Sequence, residues 1–172
     1  MNQYENSSDW RLEVKRKTNW SQTIINTLRS KSEADIYIKA NLKEANVGGR
    51  PALIRTDIDW PAFNCRKEWL KEKFADYDRW KDYNNADLIG EGFPPRDPSG
   101  DPYELHHIGQ HQDSPFAELT WNEHMGNGNN PILHTNAESE INRQYFEKEK
   151  TKYWKDRFGL FTEADKRNIY GV

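Results

Sequence analysis

YELHHIGQHQDSPFAELTWNEHMGNGNNPILHTN, residues Tyr103 to Asn136, is the stretch from which the fold of this 172-residue chain is read. It holds all five histidines of the chain (His106, His107, His111, His124, His134). From Asp101 to Asn136 there are five carboxylates (Asp101, Glu104, Asp113, Glu118, Glu123) and no lysine or arginine. Imidazoles and carboxylates without competing cationic side chains suit a bound cation, not a basic groove.

Within the stretch, Tyr103, Leu105 and His107 alternate with Glu104, His106 and Ile108, which predicts a strand over 103–108. A polar connection from Gly109 to Ser114 leads to a second short strand, Pro115 to Leu119. Thr120-Trp121-Asn122-Glu123 is a capping-box pattern, so a helix should start at Trp121 and carry His124 in its first turns. The Gly126–Pro131 segment, with two glycines, three asparagines and a proline, should stop it. Neighbouring strand residues point to opposite faces. If His106 faces a metal, His107 faces away and could hold and deprotonate a water. His124 should return over His106, and His134 stands just before a further capping pattern at Thr135 to Glu138. One group to fix an ion and another to make a nucleophile is the division that metal-assisted phosphodiester hydrolysis needs. Three neutral imidazoles leave open positions on the ion and suit zinc, nickel, cobalt or manganese better than calcium. His111, in the polar turn, reads as a bystander.

Composition narrows the alternatives. The chain is most simply one domain. Its 25 basic and 28 acidic residues, net −3, lack the basic excess of a dedicated nucleic-acid binder, so affinity for a polyanion must come from local lysines and arginines and from the metal. With Cys65 as the only cysteine there is no internal disulfide and no cysteine-based zinc site. No apolar run is long enough to span a bilayer, and MNQYENSSDW lacks the basic-then-apolar order of a signal peptide.

The flanks read as mostly helical. Two short helices are expected around a break near residue 19, then a helix capped by Ser32 running through Ile36, Ile38, Ala40 and Leu42, then a turn into a short strand over 47–55. A helix from Pro61 or Asn64 to about Trp80 should pack Trp69, Leu70 and Phe74. The proline- and glycine-rich GEGFPPRDPSGDP cannot be regular. A last long helix should run from about Asn136 to Phe158, packing Ile141, Tyr145, Phe146, Tyr153, Trp154 and Phe158, with Arg143, Lys150 and Arg157 on another side. One short helix should follow in the tail.

ELHHIGQ (104–110), SPFAEL (114–119), His124, ILH (132–134), SEINR (139–143) and YW (153–154) together resemble the LHH group of the HNH/endonuclease VII, or ββα-metal, nucleases. GRPALIRTDID (49–59) is similar to the lead-in of such domains, and the resemblance covers about residues 33–157. It implies an α+β fold, a mostly helical domain around a ββα-metal, treble-clef-like core at about 102–157. Residues 1–32 then read as an N-terminal extension or linker remnant, and 33–172 as the nuclease domain. It implies His107 as general base, with Gln110 and Arg143 in catalytic motif positions, Arg143 contacting phosphate, and His106, His134 and His124 facing one divalent ion (zinc, nickel, manganese or magnesium). Such domains are commonly toxin modules of bacterial polymorphic and contact-dependent inhibition systems. The expected activity is therefore an endonuclease acting on DNA, double-stranded above RNA, carried by a larger secreted or injected effector into a target cell's cytoplasm and neutralised by a cognate immunity protein. Two alternatives stand beside it: a housekeeping or phage nuclease, and a zinc-stabilised binding module without catalysis.

Overall fold

In chain order the elements are α1 (Gln3–Thr18), α2 (Gln22–Thr27), α3 (Lys31–Lys39), β1 (Lys43–Val47), β2 (Arg50–Ile54), α4 (Leu70–Lys73), α5 (Tyr77–Trp80), α6 (Asn85–Gly90), β3 (Glu104–His107), β4 (Phe116–Leu119), α7 (Trp121–Met125), α8 (Asn130–Leu133), α9 (Arg143–Phe158) and α10 (Glu163–Tyr170). The structure, a computed structural model, describes residues 3–73, 75–135 and 141–171, with side chains from Trp10 onward. The class is α+β, with a small four-stranded sheet among many helices. Contacts divide the chain into one unit of residues 1–56 and 105–141 and another of 57–104 and 142–172.

In the first unit the sheet order is β1-β2-β4-β3. β1 and β2 form an antiparallel hairpin pairing Val47 with Arg50, turned by Gly48 and Gly49 at φ 61° and 87°. Both turn positions need a left-handed backbone, which glycine adopts without strain. β2 then pairs in parallel with β4 at Leu53 and Ala117. β1 was not foreseen, because Lys43-Glu44-Ala45-Asn46 has little strand preference and forms one only against its partner.

The core of this unit joins the sheet to the N-terminal helices. Ile24, Ile25, Leu28, Ala34 and Tyr37 pack with Leu53, Ile108, Ala117 and Leu119. Burying each of the larger aliphatic side chains contributes about 1.5–3 kcal/mol. Val14, Trp20, Ile24, Ile25 and Leu28 all belong to this cluster, so residues before 33 supply core side chains. The break near residue 19 is made by Asn19 at φ 58°, after which Ser21 caps α2. α3 is capped by Ser30 and not by Ser32: the Ser30 hydroxyl accepts from Glu33 N at 3.0 Å. Ser30-Lys31-Ser32-Glu33 is itself a serine-to-glutamate capping pattern. α3 also stops short of Leu42, since Asn41 turns left-handed at φ 57°.

In the second unit the expected 61–80 helix is broken into a 3-10 turn at Asn64–Arg66 and the one-turn helices α4 and α5. Leu70 is buried, but Trp69 is 41% exposed, and Phe74 lies outside the described residues. Charge is so dense here that no continuous apolar stripe exists to hold a long helix in place. Asn84 and Asp87 form a reciprocal capping box at the start of α6. Asn85, fully buried, donates to Asp59 O and Arg96 O and accepts from Arg96 N, fastening the irregular proline-rich segment. α9 packs on α6 and starts at Arg143, capped by Asn142. The expected capping box at Thr135 to Glu138 falls partly on residues 136–140, outside those described. Of the predicted stripe only Tyr153 and Trp154 are buried; Tyr145 is 51% exposed. Arg157, expected on a side apart from that stripe, is buried with its guanidinium 5.1 Å from the Trp60 ring. α10 closes the unit, Tyr170 donating to Asp87 Oδ1 at 2.9 Å.

Candidate metal centre

β3 carries Leu105, His106 and His107 into the sheet, all three buried. Alternation along the strand separates the two imidazoles. The His106 ring centre is 5.1 Å from that of His124 and 5.1 Å from that of His134, which are 4.8 Å from each other. A ring nitrogen from each of the three lies within 4.8 Å of the others. His107 instead packs against the Phe116 ring at 4.7 Å.

His124 is delivered by α7. The Thr120 hydroxyl accepts from Glu123 N at 3.1 Å, and Glu123 Oε1 accepts from Thr120 N at 2.8 Å. Glu123 also pairs with the Arg55 guanidinium, while Arg55 N donates to Glu118 Oε2 at 3.0 Å. Arg55 and Glu118 are buried, so the pair ties the end of β2 to the start of α7 in a place where breaking it leaves an uncompensated charge. The chain then turns through Asn127 and Gly128, both at positive φ, and Asn129 Nδ2 donates to Glu123 O at 2.9 Å.

His134 closes α8. Its Nδ1 lies 2.7 Å from Asn130 Oδ1. An amide oxygen only accepts, so the proton belongs on Nδ1 and Nε2 carries a lone pair. That Nε2 is 3.1 Å from His124 Nε2. Two nitrogens sharing a tetrahedral zinc ion at ordinary bond lengths are about 3.3 Å apart. His106 Nε2 is buried and has no hydrogen-bond partner among the described residues. Leaving a buried polar atom so costs about 1–3 kcal/mol, which a cation bound between the three rings would offset. The donor set therefore fits a divalent ion that accepts nitrogen ligands.

The electrostatics agree with that fit. Burial, then the neighbouring His124, His134 and His107, hold the His106 imidazole well below its ordinary pKa. His107 is lowered to about 4, by burial first and then by the Arg50 charge, with Asp113 opposing. Both rings are thus neutral at neutral pH, one able to donate a lone pair to a metal and the other to take a proton. A base this weak accepts a proton from a water whose own pKa has been lowered, the effect a bound cation has.

The carboxylates of the stretch do not join the cluster, which among the described residues is made of imidazole alone. Glu118 and Glu123 turn to Arg55 instead. His111 is exposed and lies outside the cluster. Gln110, left-handed at φ 60°, accepts on Oε1 from Thr135 N at 2.9 Å and from Thr135 Oγ1 at 3.0 Å, joining the turn after the histidine pair to the residue after His134. Arg143 is the exposed first residue of α9, in the second unit. Sequence reading missed Asn130, Arg50, Arg55 and Glu33. Asn130 was within reach, four residues before His134 on a short helix. The others meet the site region across 63 to 76 positions of chain, a separation for which one sequence carries no signal.

A strand, a tight turn, a second strand and a short helix that gather three imidazoles, with a fourth behind the first strand, define a ββα arrangement around a histidine cluster able to hold a metal. Residues 84–159 match the model of a family described as LHH, a nuclease of the HNH/ENDO VII superfamily with conserved LHH. Leu105-His106-His107 lies within the matched segment. No curated protein and no solved structure was found to match the chain.

Proposed function

We propose that this protein is a metal-dependent endonuclease that prefers DNA to RNA and acts as an antibacterial toxin. The observation that carries the metal-dependent reading is the buried His106 Nε2, without a hydrogen-bond partner among the described residues, beside the His124 and His134 nitrogens, with His107 on the other face of the same strand. A divalent ion bound by His106, His124 and His134 would supply Lewis acidity to the scissile phosphate and the leaving oxygen. His107 takes the proton of the attacking water, which adds in line to the phosphorus as the P–O3′ bond breaks. Asn130 fixes the His134 tautomer, and Gln110 holds the turn after the histidine pair against Thr135. Arg143, exposed at the start of α9, contacts phosphate elsewhere on the strand.

The toxin reading rests on the company such domains keep and on the danger of an unrestrained nuclease to its maker. It requires delivery into a target cell as part of a larger effector, and a cognate acidic immunity protein binding at nanomolar affinity or tighter, about −12 kcal/mol. The exposed lysines Lys67, Lys71 and Lys73, and Lys148 and Lys152 on α9, give that partner its docking charges. The test has two arms. Purified protein with plasmid or total RNA, with and without chelator, should cut the plasmid in preference and stop reversibly on chelation. Controlled expression in a bacterium should be toxic for the wild type, harmless for His107→Ala, and rescued by the neighbouring reading frame. Growth unaffected by a demonstrably active enzyme would remove the toxin role and leave a housekeeping nuclease.

A further inference from the structure

Glu33 is 2% exposed, yet it is a carboxylate with three donors around it. Oε1 accepts from Arg29 N at 2.8 Å, and Oε2 accepts from Tyr37 Oη at 2.6 Å and from Gly109 N at 2.8 Å. Gly109 begins the left-handed turn that follows the histidine pair, at φ 71°. A Cβ there would lie 2.1 Å from Thr27 O, so the corner between α2 and α3 and the turn after His107 are in backbone contact. The corner itself has little freedom. Leu28, 1% exposed, caps α2 and its carbonyl accepts from Arg11 Nη2 at 2.7 Å; Ser30 caps α3.

Arg29 is the residue held between those two caps, and its side chain is exposed. Its Nη1 donates to Thr135 Oγ1 at 2.7 Å and reaches Gln110 Oε1 at 3.5 Å. Thr135 follows the cluster residue His134. Both partners are neutral, so among the described residues no carboxylate compensates the guanidinium, and its Nε and Nη2 donors make no hydrogen bond. An arginine fixed at its backbone and at one nitrogen, with no carboxylate partner among the described residues, presents a fork suited to an oxyanion.

We infer that Arg29 is a phosphate-binding residue of the site, gripping a phosphodiester of the bound strand next to the His106–His124–His134 cluster, with Glu33 as its positioning residue. This rests on the nuclease reading. It also makes the α2–α3 corner, which lies outside the 84–159 match, part of the substrate site.

The test uses the zinc-loaded full chain with His107→Ala to prevent cleavage, and a short labelled DNA duplex titrated at several salt concentrations. Adding Arg29→Ala should weaken binding about tenfold, the loss expected for a charged hydrogen bond. It should also lower the slope of log affinity against log salt by about 0.9, one phosphate contact. Arg29→Lys should keep the slope, and zinc affinity should be the same in all three proteins. An unchanged slope in Arg29→Ala overturns the inference, as does a loss of zinc affinity, which would make Arg29 structural. If the zinc-loaded parent binds no duplex at all, the nuclease reading itself falls, a result distinct from either.

Discussion

Replacing Asn130 tests the centre without touching a metal-facing atom. Its Oδ1 lies 2.7 Å from His134 Nδ1, and the lone pair on Nε2 depends on that proton staying where it is. With Asn130→Ala the imidazole is free to rotate and to change tautomer. Loss of such an orienting partner typically weakens metal binding by about 10–100-fold, or about 1.4–2.7 kcal/mol. Asn130→Asp keeps the acceptor and adds a charge, which raises the basicity of the ring; it should bind at least as tightly as wild type. The assay is competition for zinc against a chromophoric chelator, starting from ion-free protein, with circular dichroism to establish that both variants fold. Wild-type zinc affinity in folded Asn130→Ala would refute the reasoning, because it would mean that His134 does not bind through Nε2.

His107→Ala should reduce cleavage by about 10²-fold or more while zinc affinity stays within a factor of a few, measured on plasmid and by the same competition. Gly109→Ala should destabilise the fold by more than about 3 kcal/mol in urea unfolding, since its Cβ would overlap Thr27 O and the residue sits at φ 71°. For the ion-free protein, the lowered pKa of His107 gives a sign. Above about pH 6.5 neither state binds the proton and stability is full; between there and about 4 only the unfolded chain takes it up, so stability falls with pH. The loss from this residue should be about 3 kcal/mol, His106 should add to it in the same direction, and unfolding curves at stepped pH should be flatter for His107→Gln.

The local grammar of the 103–136 stretch was legible because its signals act over a few residues. Alternation separates His106 from His107, the Thr120 to Glu123 box sets the start of α7, and the glycine–asparagine run ends it. Two signals of the same kind compete at the start of α3: Ser32 and Ser30 both precede acids, and only Ser30 stands three before the buried Glu33. The predicted 61–80 helix failed for another reason. Its apolar positions exist, but the charges between them leave single turns to pack separately, and Trp69 stays half exposed.

What a single sequence hides is the support behind the centre. Arg55 reaches Glu118 across 63 residues, Glu33 reaches Gly109 across 76, and Arg29 reaches Thr135 across 106. None of these pairs shares a helix or a hairpin, so no periodicity or capping rule links them. The first two act on the cluster. Arg55 secures the helix that holds His124 and Glu33 secures the turn after His107, while Gln110 accepts from Thr135, the residue after His134. Each histidine-bearing segment is short, a four-residue strand or a helix of four or five residues, and elements so short cannot hold an imaginary template's geometry by themselves. The order they lack must come from side chains anchored elsewhere, and here it comes from the α2–α3 corner and the end of β2. Residues before 33 therefore supply part of the packing behind the turn that follows His107.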